Sequence, residues 1–114
     1  MMEWYIPDCY LGSKSHGEAI THEAVCILNP FNEDAKVNLI LYFEDREPMD
    51  GFEFIIPKRR TIHIRLDKVT NKNGSLIQRD TPYGMKIESS RQVYIQYTRV
   101  DTSQPELALM TTIC

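Results

Sequence analysis

Hydrophobic and polar positions alternate with a period of two in stretch after stretch of this chain. Val37, Leu39, Leu41 and Phe43 alternate with Lys36, Asn38, Ile40, Tyr42 and Glu44. Phe52, Phe54 and Ile56 flank Glu53 and Ile55, and Ile62, Ile64 and Leu66 flank His63 and Arg65. Val93, Ile95 and Tyr97 do the same around Tyr94 and Gln96. Side chains on a strand point to opposite faces in turn, so each run predicts a strand with one face on a core. Ala24 to Leu28 is continuously apolar, which predicts a central strand buried on both sides. Glu3 to Leu11 also reads as a strand, and Pro7 restricts it to an edge or a bulge. Glu106 to Cys114 mixes helix and strand formers; a strand is favoured, because an isolated two-turn helix is marginal in water.

Turn signals punctuate these runs at Asn29-Pro30, Asp50-Gly51, Asn73-Gly74 and Ser89-Ser90. Seven or eight short strands, roughly, with no convincing helix, indicate an antiparallel sandwich or barrel. Asp67 to Thr81 is the longest irregular segment, and a loop of that length is either mobile or functional. Tyr42 and Tyr94 fall on the faces opposite the expected core, where aromatic surface can meet a partner.

Composition narrows the function classes more than it names one. The chain has 114 residues, enough for a single domain over 1–114. Its net charge of −3 is unlike that of a general nucleic-acid binder, so nucleic acid is not expected as a partner. The first ten residues include Glu3, Pro7 and Asp8 and lack the basic and apolar regions of a signal peptide. Cys9, Cys26 and Cys114 are scattered, as are His16, His22 and His63, so neither a disulfide framework nor a metal site is expected. None of the common phosphate-binding, nucleophile-elbow or zinc-protease motifs occurs, and no cofactor is implied.

A few polar groupings remain. His22 and Glu23 are adjacent, so on a strand they face opposite ways and cannot work as a joint acid and base. Thr61, His63 and Arg65 share one strand face; that row is either a wet outer face or a grip for an anion or sugar hydroxyl, with Arg65 as bidentate donor. Lys58-Arg59-Arg60 follows Pro57 and reads as a solvated turn or a phosphate contact. Gln96, Thr98, Arg99 and Asp101 form a polar strand end, where Arg99 and Asp101 can pair along the strand.

The residues also resemble a known family. Thr21-His22-Glu23-Ala24-Val25-Cys26-Ile27-Leu28-Asn29 resembles a signature of the sensory rhodopsin transducer family. Glu33-Asp34-Ala35, Tyr42 to Pro48, and Arg59 to Arg65 follow at matching intervals. So do Gln96 to Gln104, Ala108-Leu109 and Thr111-Thr112-Ile113. The resemblance implies an all-β fold, an antiparallel β-sandwich of about eight strands, cytoplasmic and assembled as a ring-shaped homotetramer. The best-known member resembles a soluble transducer for a cyanobacterial photoreceptor, and the wider superfamily is thought to bind small molecules such as sugars. Polar residues within the matching motifs become candidate ligand-binding residues: His22, Glu23, Asn29, Arg60, His63, Arg65, Gln96, Thr98, Arg99 and Asp101.

Three functions follow as expectations. The first is a non-enzymatic sensory module that binds a small polar ligand as a homo-oligomer; it requires His63 and Arg65 to approach His22 or Arg99. The second is an adaptor that docks on a membrane receptor or another signalling protein. The third is a carbohydrate-active enzyme using His22, Glu23 or His63, which would need two titratable groups within reach of one ligand position.

Overall fold

The computed structural model describes residues 1–13, 22–101 and 108–114. These contain eight strands: β1 Met2–Cys9, β2 His22–Asn29, β3 Ala35–Tyr42, β4 Met49–Ile56, β5 Arg60–Arg65, β6 Tyr83–Ser89, β7 Tyr94–Asp101 and β8 Ala108–Ile113. They form two antiparallel sheets, ordered β1-β6-β3-β4 and β5-β2-β7-β8. The alternation read from the sequence becomes the inner layer. Val37, Leu39 and Leu41 of β3, Phe52 and Ile56 of β4, and Met85 and Ile87 of β6 meet Val25, Ile27, Ile64, Ile95 and Tyr97 of the second sheet in one buried cluster. Each such side chain contributes about 1.5–3 kcal/mol on leaving water.

β1 is an edge strand, as Pro7 requires, and its register against β6 shifts between Ile6 and Cys9. The extra residue lets Ile6 and Cys9 both face inward although they are three apart. Gly84 of β6 lies beneath this bulge, where an added Cβ would come to 3.3 Å of the Pro7 carbonyl oxygen. β8 confirms the strand reading over 108–113; Pro105 and Glu106 lie outside the described residues.

Three readings need correction. β2 is central but not buried on both sides: Leu28 is 44% exposed and Cys26 is half-buried, because among the described residues no further layer covers the outer face of that sheet. Asp50-Gly51 makes no turn; it sits inside β4, where Gly51 (φ +87°) forms a bulge opposite β3. β6 is absent from the runs named above, since Pro82 and Gly84, both strand-weakening, obscure the alternation of Tyr83, Met85 and Ile87.

The 67–81 segment is held by bonds of its own. Asn71 Oδ1 accepts from the Asn73 and Ser75 amides at 3.0 and 2.9 Å, and Thr70 bridges to Leu76. The Lys72 amide donates to the Gly51 carbonyl at 2.9 Å, and Ile77 is buried in the core.

Candidate functional site

β2 begins at one end of the sandwich, where it carries a carboxylate into the interior. Glu23 alternates inward with Val25 and Ile27 and is completely buried. A buried charge is tolerated only if its oxygens are saturated with donors. Here Oε1 accepts the Tyr83 hydroxyl at 2.6 Å. Oε2 accepts the Tyr97 hydroxyl, the Tyr10 amide at 2.8 Å and Arg99 Nε at 3.3 Å. Arg99 also reaches the Asp8 carbonyl at 3.1 Å, with the Asp8 carboxylate 3.9 Å away. The donors come from β6, β7 and the segment after β1, so the carboxylate ties both sheets together.

The same environment silences its neighbours as acids. Burial pushes the Tyr83 hydroxyl far up, reinforced by the Glu23 charge. Burial likewise pushes the Cys9 thiol up, again with Glu23 beside it, so this thiol is not a nucleophile at neutral pH.

Two further nodes close this end. Asp80, itself at φ +59°, takes the Ser13 amide at 2.9 Å and the Tyr10 hydroxyl at 3.3 Å on Oδ1, while its own amide donates to Leu11 at 2.6 Å. Arg79 donates to the Gly12 carbonyl at 2.6 Å, so residues 10–13 are strapped onto 79–80. Asp67 accepts both Nε and Nη2 of Arg65 at 2.8 Å, with Arg79 at 3.6 Å. Burial acts to raise the Asp67 carboxyl, but the Arg65 guanidinium prevails and holds it below the usual carboxylate range, with His22 adding in the same direction.

The candidate residues therefore divide into groups. Glu23 and Arg99 meet inside this end, while His22 and Arg65 lie on the outer side of the same sheet, joined through Asp67. His63 and Gln96 share that outer face farther along, flanking Cys26 in one cross-strand row, and Thr98 pairs with Ala24 in the next. Asn29 lies at the opposite end of β2, about 20 Å from Glu23 at strand rise. There its Nδ2 donates to the Glu33 and Ile56 carbonyls at 2.8 and 3.1 Å, fixing the β2–β3 and β4–β5 connections. Arg60 opens β5 beside it, exposed, bonding the Arg59 carbonyl at 2.9 Å. The Asp101 side chain lies outside the described residues, so its pairing with Arg99 does too.

Sequence reasoning missed Tyr10, Tyr83, Tyr97, Asp67, Arg79 and Asp80. The one local signal was Tyr97 on a core face, because a buried phenol needs an acceptor. Among the described residues no cluster of three or more His, Cys, Asp or Glu could hold a metal ion.

Two open concavities mark the outer faces. One of about 280 Å³ is lined by Cys26, Leu28, Thr61, Tyr94, Ile95 and Gln96, with Leu28 and Tyr94 (55% exposed) on its rim. The other, about 590 Å³, lies on the opposite sheet between Lys36, Asn38, Glu53, Ile55 and Glu88.

These features define a two-sheet antiparallel sandwich with a carboxylate–guanidinium pair sealing one end of its core. The chain belongs to the Anabaena sensory rhodopsin transducer family, whose model matches residues 1–114. It is similar to the solved structure of Thermotoga maritima 1070, at 34% identity over 97% of this chain and 90% of that one, with a TM-score of 0.86. It is also similar to the Anabaena sensory rhodopsin transducer itself, at 34% identity over 90% of each chain, with a TM-score of 0.75. A comparison with curated proteins gives no match.

Proposed function

We propose that this chain is a non-enzymatic signalling adaptor that passes on the state of a sensory-rhodopsin-type receptor by binding it in the cytoplasm. Membership of the transducer family supports the reading. The structural observation that carries it is the exposed outer face of β5-β2-β7, where Leu28 and Tyr94 stand beside a shallow recess. Two of the candidate polar residues are already engaged elsewhere: Glu23 by four donors and Arg65 by Asp67. That engagement leaves little for acid–base chemistry on a substrate, which is why an enzyme is disfavoured.

The test is calorimetric titration of the purified chain into detergent-solubilised Anabaena sensory rhodopsin, in the dark and under illumination. Light-dependent affinity supports the adaptor; equal absence of binding in both states refutes receptor coupling to that rhodopsin.

A second reading is favoured by the recess itself, whose volume suits a polar metabolite of a few heavy atoms held by Gln96, Thr61 and the nearby His63. A thermal-shift screen against sugars, sugar phosphates, nucleotides and carboxylic acids tests it. A ligand at 100 times its dissociation constant adds about 2.7 kcal/mol, and the shift should vanish in Gln96→Ala. The adaptor is proposed to act as a homotetramer, with β5 and β8, the edge strands of their sheet among the described residues, as candidates for pairing with a neighbouring copy.

A further inference from the structure

The connection from β4 to β5 is a three-residue corner with two unusual properties. Arg59 adopts a left-handed backbone (φ +57°), a conformation that disfavours any side chain with a Cβ, and its backbone N–H donates a hydrogen bond to the Phe31 carbonyl at 3.1 Å that holds it there. Lys58, Arg59 and Arg60 are all exposed, and among the described residues none of the three side chains has a carboxylate partner. Arg59 Nη1 reaches only the Asn32 amide oxygen, at 3.3 Å. Asp34, the near carboxylate, accepts the Lys58 backbone amide at 2.9 Å, and Glu33 is taken by Arg91. A chain of net charge −3 thus concentrates unpaired positive charge at one corner.

That corner adjoins the outer-face recess. Arg60 pairs with Asn29, and the next pair along is Thr61 with Leu28, whose other neighbour is Tyr94. An exposed apolar pair and its recess on the outer face therefore lie one register step from the end of the sandwich, where Lys58, Arg59 and Arg60 are exposed without carboxylate partners and Arg60 points to the opposite side of β5 from Thr61.

We infer that this composite surface docks an acidic protein segment, with one apolar or aromatic side chain seated between Leu28 and Tyr94 and flanking carboxylates on Lys58, Arg59 and Arg60. The inference rests on the adaptor reading and deepens it by naming the chemistry of the partner. Charge complementarity selects the occupant. Three cations at a single corner are too few and too localised to track a phosphate backbone, and the −3 chain repels polyanions of high charge density. A short acidic segment needs only this corner, and the apolar pair supplies the anchor that electrostatics alone lacks.

The experiment uses the full chain, labelled with ¹⁵N, and a random glutamate–tyrosine copolymer as probe. Amide shifts at Leu28, Thr61, Tyr94, Arg59 and Arg60 are expected. Binding should weaken by about tenfold in Arg59→Glu/Arg60→Glu, the sum expected for two exposed ion pairs reversed. Tyr94→Ala should weaken it independently, and both variants should keep the parent's unfolding temperature. Shifts confined to other residues, or none at all, would overturn the inference. So would stronger perturbation of the same amides by a DNA duplex or by phosphatidylserine vesicles. A fall in sedimentation coefficient for Leu28→Ser would overturn it too, by making the face a contact between copies. Because no rhodopsin takes part, these outcomes are independent of the receptor titration.

Discussion

Glu23 is where single residues matter most. Replacing it with Gln removes the charge that Arg99 faces and leaves an amide nitrogen among donors. Breaking a buried pair in this way costs about 3–5 kcal/mol when both partners are buried. Arg99 keeps about a quarter of its side chain exposed, so a loss of about 2–3 kcal/mol in urea denaturation is expected for Glu23→Gln. The Glu23→Gln/Arg99→Met pair should lose less than the sum of its singles, the mark of direct coupling. Asp67 offers a test by pH. Its folded carboxyl lies below the ordinary value of about 3.9, so the unfolded chain binds more protons in acid. Its contribution is complete above that value and is lost as pH falls through the lower folded one. Asp67→Asn should therefore flatten the stability curve below about pH 4 while lowering stability at neutral pH. Neither partner set was legible locally: the donors to Glu23 stand 13, 60, 74 and 76 positions away.

At the scale of elements, period-two alternation exposed β3, β5 and β7 because each has one face on the core and one in water. The continuous apolar run 24–28 misled for β2, whose outer Leu28 and Cys26 look buried only because they are apolar. Composition cannot tell an apolar core position from an apolar contact surface; the covering layer decides that. β4 was legible as a strand but not its bulge, since Asp-Gly is also a common hairpin turn. Gly51→Ala tests the bulge. The new methyl would meet Lys72 Cγ at 3.0 Å in a left-handed conformation, so a loss of about 1–2 kcal/mol is expected by thermal denaturation. Gly74→Ala shares the positive φ (+81°) but meets nothing within 4 Å, and should lose less.

For the whole molecule, the fold class was readable because several strands of a sandwich repeat the same period-two signal. The site was not, because two layers and both ends of one strand share its residues. Family resemblance named His22, Glu23, Arg65 and Arg99, and the structure brings these to one end; Asn29 and Arg60 came from the same motifs and stand at the other. The proposed assembly predicts sedimentation of a species four times the 13.3 kDa chain at micromolar concentration, and a stable monomer there would refute it.

β2 also carries a mechanical consequence. Two apolar sheets interlock through side-chain packing, which resists sliding but carries no directional bond of its own. One directional bond across the gap blocks the slide but leaves a pivot, and a second bond at a distance removes the pivot as well. Glu23 to Tyr83 and Asn29 to Ile56 are such a pair, one at each end of the same strand. Displacement of β2 relative to the other sheet is therefore opposed at both of its ends, by β6 at one and by β4 at the other.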